Sequence, residues 1–409
     1  MTDLRRRVVV TGMGAICALG DQPHAIYEAL CGGQSRFGPP TLFAPDVAPG
    51  HHVAEVRDFA PQNYLKTGNV RPLDRTGRLA LVGVELALAD SGCTTERRAT
   101  EAVGLILGTM FCSVRTIGEF DRRAQQAGPE YASPMDFSNT VLNAAAGQVA
   151  IWQRLRGVNT TITTGATSGL HAIGYAAQLI RSGRADALVA GGAEEVCYES
   201  FYGFYRAGRL APPSGGAPGT VAPFDILRTG TAMGEGAAFL VLEAEETARA
   251  RGAQILARVA GFGNAFDPDT REQSPPRRSV LAGAIAHALA DAGIAASDIG
   301  AVVSSASGSR PLDARESAGI GAALGAAVPV TAIKSMTGET LGASGALQAL
   351  AAIEALRGGR LPGVAGLTRV DPAIILAVSA ETRPMRATRA LVTTIAPEGN
   401  CCALVLATD

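Results

Sequence analysis

A chain of 409 residues that is 47% hydrophobic and 18% charged has enough apolar side chains for a large buried core. Its formal net charge of −1 argues against a nucleic-acid partner, because phosphate binding needs a basic surplus. Aromatic residues make up only 5% while glycine and alanine abound, so this core has to pack closely through small side chains.

The opening MTDLRRRVVVTGMG has no apolar signal core, and no apolar run approaches the ~18 residues of a membrane span. The expectation is a cytoplasmic protein with no membrane partner. Arg5, Arg6 and Arg7 read as a solvated strand end. The seven cysteines (Cys17, Cys31, Cys93, Cys112, Cys197, Cys401, Cys402) lack metal-type spacing and read as reduced, buried thiols. Cys401 and Cys402 are adjacent on a strand and therefore face opposite sides of it.

In chain order, Arg7 to Val10 opens a strand, and Gly12, Gly14 and Gly20 mark the turn after it. Ala80 to Leu88 reads as a buried helix stopping near Ser91-Gly92, and Val103 to Leu107 as a short strand ending at Gly108. From Asn159 to Gly192 the pattern is strand, tight turn, helix, strand. Its helix begins near Ser168, places Leu170, Ile173, Ala177 and Ile180 on one face, and ends at Ser182-Gly183. Asp186 to Ala190 is the next buried strand. Pro212 to Pro223 is a surface loop rich in Pro and Gly. Gly236 to Ala248 reads as the strand and linker closing the first half, and Ile255 to Gly263 restarts the pattern. A second strand–turn–helix unit then runs from Val328 through the Gly338–Gly342 turn to a helix ending at Gly358-Gly359. Two such units half a chain apart suggest an internal duplication, with a first half 1–250 and a second half 251–409 in one integrated α/β unit.

Six segments, in order, point to a family. RRVVVTGMGAICALG, PLDRTGRLAL, NAAAGQVAI, RADALVAGGAEEV, FDILRTGTAMGEGAAFLVLE and AIKSMTGETLGASGALQAL together resemble the β-ketoacyl-acyl carrier protein synthases, from Arg5 to about Thr408. The resemblance implies a thiolase-like α/β fold, a duplicated five-layer αβαβα sandwich that pairs into a two-fold dimer. It also implies a reaction that joins an acyl chain to malonate on an acyl carrier protein. In that reaction a cysteine at a helix N-terminus carries the acyl group, and two histidines stabilise the enolate. The resemblance implies no cofactor beyond the 4'-phosphopantetheine that the carrier itself bears.

The chemistry this family needs is missing. The nucleophile motif T-A-C-A-T/S-G becomes TTGATSG over Thr163 to Gly169, which puts Ala166 at the cysteine position. His171 survives but reads as a packed helix residue. The first histidine motif, A-H-G-T-x-T-P-L, matches Ser305 to Leu312, with Ala306 at the histidine position and Gly308 and Arg310 at the threonines. The second matches Lys334 to Gly345, with Lys334 retained and Glu339 at the histidine position. The remaining histidines are His24, His51, His52 and His287, so none follows residue 287. The glycine-rich C-terminal loop becomes Ala396-Pro397-Glu398-Gly399-Asn400-Cys401, stiffened by proline.

Loss of the chemistry with the scaffold kept is similar to the chain length factors (ketosynthase β subunits) of type II polyketide synthases. The resemblance then implies an active ketosynthase α subunit as partner, an acyl carrier protein, and a reducing pathway of polyene or aryl polyene type. The strand end Gly108 to Val114 falls where one subunit closes its partner's acyl tunnel, so Met110, Phe111, Cys112 and Val114 are the expected chain-length gate, with Phe111 as floor or as plain interface core. Lys334 and Glu339 are expected to form an ion pair that fills the vacated cavity. Two other readings stay open. One is an acyltransferase using Thr167, Ser168, Ser304, Ser305 or Ser307 as an oxygen nucleophile with Lys334 or Glu339 as base. The other is a homodimeric scaffold without a catalytic partner.

Overall fold

The computed structural model describes residues 6–65, 70–213, 219, 221–268 and 279–408. Its strands are β1 (Val8–Cys17), β2 (Gly104–Gly108), β3 (Asn159–Ile162), β4 (Ala187–Glu194), β5 (Gly236–Ala244), β6 (Ala257–Phe266), β7 (Ala301–Ser304), β8 (Pro329–Ala332), β9 (Arg360–Leu361), β10 (Ala377–Val378), β11 (Arg383–Pro384), β12 (Arg389–Ile395) and β13 (Asn400–Ala407). Its helices are α1 (Pro23–Cys31), α2 (Arg75–Asp90), α3 (Thr95–Thr100), α4 (Val114–Ala127), α5 (Pro134–Phe137), α6 (Ala144–Gln153), α7 (Ser168–Arg181), α8 (Tyr198–Arg206), α9 (Glu245–Ala250), α10 (Val280–Ala292), α11 (Arg310–Leu324), α12 (Lys334–Thr337) and α13 (Ser344–Gly358). None of the described helices is long and apolar enough to cross a membrane.

The strand order repeats. From a central seam outward, one half runs β1-β5-β4-β2-β3 and the other β6-β13-β12-β7-β8, with β10 added at the far edge. In each half the first two pairings are antiparallel and the next two parallel. At the seam β1 and β6 pair antiparallel over Val8↔Val259, Val9↔Arg258 and Val10↔Ala257, which joins the halves into one hydrogen-bonded sheet.

Three apolar clusters divide this sheet into layers. The inner one takes α7 and α13 together with one face of both halves, including Leu188, Leu240, Val303 and Leu404. The opposite face of the first half packs on α2 and α6, and that of the second on α10 and α11. The result is the expected αβαβα stack. Central strands covered on both faces read as continuous apolar runs, and β1, β4, β5 and almost all of β13 are buried throughout. Cys401 belongs to the outer cluster and Cys402 to the inner one, on opposite sides of β13 as their adjacency demands.

One sequence expectation fails. Gly12 and Gly14 do not form a turn, since β1 continues through them to Cys17. A Cβ on Gly14 would come within 2.2 Å of the Ala87 amide nitrogen, so glycine is there to let α2 lie against the strand. The linker after β5 is the short helix α9. Residues 214–218 and 220 of the Pro212–Pro223 loop fall outside the described residues.

Candidate functional site

The turn between β3 and α7 sets the head of the site. Gly165 takes a left-handed φ of 68°, which brings Ala166 round to the N-terminal end of α7. The hydroxyls of this turn are already committed. Thr167 Oγ1 donates to the Thr164 carbonyl at 2.6 Å, and Ser168 Oγ donates to the Gly165 carbonyl at 2.6 Å. His171 is closer to the turn than its helix position suggests. Its Nδ1 lies 3.1 Å from both Thr164 Oγ1 and Thr167 Oγ1, and its ring meets Phe262 edge-on at 5.7 Å. Burial lowers its pKa, and the ring is packed among these partners.

A cavity of about 490 Å³ opens beside Ala166. Apolar walls come from Met110, Phe204, Ile395 and Pro397, the inner end from Glu316, Lys334 and Glu339, and further polar positions from Arg209, Arg310 and Arg315. The space next to Ala166 is therefore open.

The Ser305–Gly308 segment requires a correction. Ala306 does not face this cavity. Its methyl group is buried in the outer cluster with Phe224, Val302 and Ile320. Ser305 and Ser307, on either side, line the cavity. Asp313 of α11 pins the segment by accepting the amides of Ser307 (3.0 Å), Gly308 (3.3 Å) and Phe224 (3.1 Å). Anchoring on Gly308 (φ 90°) instead of Pro311-Leu312 moves the histidine position by one, onto Ser307. A group that acts on a ligand has to face it, and Ser307 does.

The Lys334–Glu339 ion pair is present as expected. Lys334 Nζ and Glu339 Oε2 are 2.6 Å apart, and both residues are buried. Glu339 Oε1 also accepts the Leu341 amide (3.0 Å) and the Ser344 hydroxyl (2.7 Å). The pair lines the cavity rather than filling it. Glu316 stands nearby, with Oε1 accepting from the Ser305 amide, the Ser305 hydroxyl and the Thr393 hydroxyl at 2.8, 3.1 and 2.6 Å. Burial pushes its pKa up to about 7, against the pull of those bonds and of Lys334.

The gate residues divide. Met110 lines the cavity, whereas Phe111 packs half-buried against the cluster of Phe201, Phe204, Met233 and Leu341. Cys112 is fully buried in the cluster beneath α2, with a left-handed φ of 47°, and burial pushes its thiol up to about 12. Val114 opens α4. Glu194, which no sequence motif singled out, holds this stretch in place. Its carboxylate accepts the amides of Met110 (2.6 Å), Phe111 (2.9 Å) and Cys112 (2.8 Å), and from across the site that of Gly342 (3.2 Å). It is buried, with a pKa raised to about 7. Its segment GGAEE was visible in sequence, but a nest of backbone donors is visible only in the fold.

The C-terminal loop is a tight hairpin, closed by the Ala396 amide on the Asn400 carbonyl (2.8 Å) and the Gly399 amide on the Ala396 carbonyl (3.0 Å). Pro397 and Glu398 at its tip border the cavity. Among the described residues no cluster of His, Cys, Asp or Glu has the geometry to hold a metal ion.

Comparison with known proteins agrees with this architecture. The N-terminal domain model of beta-ketoacyl synthases matches residues 5–248, and the C-terminal domain model matches residues 256–368. The chain is 34% identical to 3-oxoacyl-[acyl-carrier-protein] synthase 2 of Vibrio cholerae over 86% of each sequence. It is also 34% identical to the putative polyketide beta-ketoacyl synthase 1 of Streptomyces halstedii over 90% of each. Among solved structures it superposes on one chain of the ishigamide ketosynthase/chain length factor with a TM-score of 0.91 and 31% identity, covering 99% of this chain and 100% of that one. With this fold and these matches, the chain belongs to the beta-ketoacyl synthase family and has its thiolase-like fold.

Proposed function

We propose that this chain is a chain length factor, a ketosynthase-fold subunit without condensing chemistry of its own. It pairs with an active ketosynthase and shapes the tunnel in which the acyl chain grows. One observation carries this reading: the cavity persists while the groups at its three reactive positions are a methyl, a hydroxyl and a bonded carboxylate, at Ala166, Ser307 and Glu339. A methyl group cannot take an acyl chain as a thioester. A carboxylate already engaged by Lys334, Ser344 and the Leu341 amide offers an enolate repulsion instead of a proton.

The surface supports a partner. Helix α4 has no buried side chain, and Ile117, Tyr131, Phe137, Val141, Leu142 and Ile151 are exposed from α4 to α6, Ile151 at 79%. Apolar exposure on this scale marks a surface that another protein covers. Strand β3 at the sheet edge lies in the same half of the molecule. Met110 and Phe111 sit at the head of this surface and are the residues that would close the partner's tunnel. An acyl carrier protein would deliver the only prosthetic group, its own 4'-phosphopantetheine.

An oxygen nucleophile is less favoured. Thr167, Ser168 and Ser304 donate to backbone carbonyls, and Ser305 donates to Glu316. Ser307 lines the cavity, but Lys334 and Glu339 are paired with each other and offer it no base. Co-expression with an active ketosynthase followed by mass measurement tests the proposal. A 1:1 heterodimer is expected. A homodimer that persists in the presence of the ketosynthase contradicts it.

A further inference from the structure

Glu194, the last residue of β4, gathers backbone donors from both halves of the chain onto one buried carboxylate. Its Oε1 accepts the amides of Phe111 and Cys112, and its Oε2 accepts those of Met110 and, from the second half, Gly342. The Thr109 hydroxyl lies 3.2 Å from both oxygens. Convergent amides of this kind form a nest for an anion, and here the anion is a side chain of the protein itself.

The two stretches that it joins need the support. Cys112 and Leu341 have left-handed φ values of 47° and 48°, a conformation that residues with a Cβ keep only where the surroundings hold it. Gly342 approaches so closely that a Cβ there would lie 2.5 Å from Thr109 Cα and 2.7 Å from Glu194 Oε2. The backbone of the second half therefore rests directly on the strand end that carries Met110 and Phe111. The adjacent Leu341 amide goes to Glu339 Oε1 at 3.0 Å, and the Leu341 side chain belongs to the apolar cluster against which Met110 and Phe111 pack. Two consecutive amides of one turn are thus held by two carboxylates, Glu194 beside the gate and Glu339 at the inner end of the cavity.

We infer that Glu194 is a positioning residue for chain length: it clamps Met110 and Phe111 to the Leu341–Gly342 turn and so fixes where the gate stands relative to the Lys334–Glu339 end of the cavity. It acts through the amides it holds. The effect on chain length rests on the reading of this subunit as a chain length factor, whereas the clamp itself does not. In Glu194→Gln one carboxylate oxygen gives way to an amide group that donates. Either the Phe111 and Cys112 amides or the Met110 and Gly342 amides then face a donor instead of an acceptor.

Hydrogen exchange of the full chain, read by mass spectrometry, tests the clamp without a partner. Glu194→Gln should speed exchange about tenfold or more around residues 110–112 and around Gly342 together, and should leave α10 as protected as in the wild type. Gly342→Ala, which pushes the turn off the carboxylate from the other side, should do the same. In complex with an active ketosynthase, both variants should lengthen the product by at least one two-carbon unit. Glu194→Asp, which keeps a carboxylate, should fall between them and the wild type. A purely structural role lowers the yield and leaves the length unchanged. Unchanged exchange in either segment of Glu194→Gln, or an unchanged product length in a complex whose gate is loosened by exchange, overturns the inference. A wild-type chain that forms no complex contradicts the chain length factor reading alone, and the exchange result then decides the clamp.

Discussion

Lys334 Nζ and Glu339 Oε2 lie 2.6 Å apart in the wall of an open cavity, and on the proposed reading this carboxylate stands in for a family imidazole. The pair settles two buried charges beside Ala166 and Ser307 in the same cavity.

Breaking that pair should be expensive. Glu339→Ala leaves the Lys334 ammonium buried and uncompensated and should destabilise the protein by about 3–5 kcal/mol in denaturant unfolding. Replacing both residues together, as in Lys334→Met with Glu339→Leu, should cost much less and come close to neutral. Equal losses in the single and double variants would show that the charges are not coupled.

Restoring sulfur alone should not restore condensation. Ala166→Cys places a thiol at the head of α7 beside the cavity, where it should be alkylated by iodoacetamide and seen as a mass increase on intact protein. With Ser307 and Glu339 unchanged, no carbon–carbon bond should form. Condensation by this single variant would mean that the imidazole positions are dispensable.

Phe111→Ala, tested in the complex with an active ketosynthase, should lengthen the product by at least one two-carbon unit. Forcing an extra unit against packed atoms costs about 1–3 kcal/mol, and each 1.4 kcal/mol is about a factor of ten in rate. Product analysis by mass spectrometry reads the change. An unchanged length leaves Phe111 as interface core, in line with its packing against Phe201 and Leu341.

Stability should decline from mildly acid to mildly alkaline pH. Glu194 and Glu316 both have pKa values raised to about 7 by burial. A carboxyl raised in the folded state binds more protons folded than unfolded, so its contribution is whole below the unfolded value and is lost as pH rises through about 7. Thermal unfolding should therefore show a falling Tm between about pH 5 and pH 8, with a shallower slope in Glu316→Gln. A Tm that rises over this range contradicts the assignment.

Much of this was legible in the sequence. Helix α7 announced itself through Leu170, Ile173, Ala177 and Ile180, all of which are buried on the inner layer, and the helix start at Ser168 puts Ala166 in the turn before it. The Lys334–Glu339 pair followed from one charge replacing a ring near another charge. The misreadings have physical causes. Gly12 and Gly14 looked like turn residues because close helix packing and tight turns both call for glycine. Ala306 was placed one residue off because the segment between Gly308 and Pro311 was aligned without its fold, and only the burial of the Ala306 methyl group exposes the slip. Glu194 escaped notice because its partners are backbone amides that follow β2 and precede α13, which no side-chain pattern records.

The most direct measurement is a condensation assay with acyl and malonyl carrier proteins, run on this chain alone, on an active ketosynthase alone, and on the two together. No β-ketoacyl product is expected from this chain alone, and a product of defined length is expected from the pair. A β-ketoacyl product made by the partner-free chain would contradict the assignment of this subunit as a non-condensing partner.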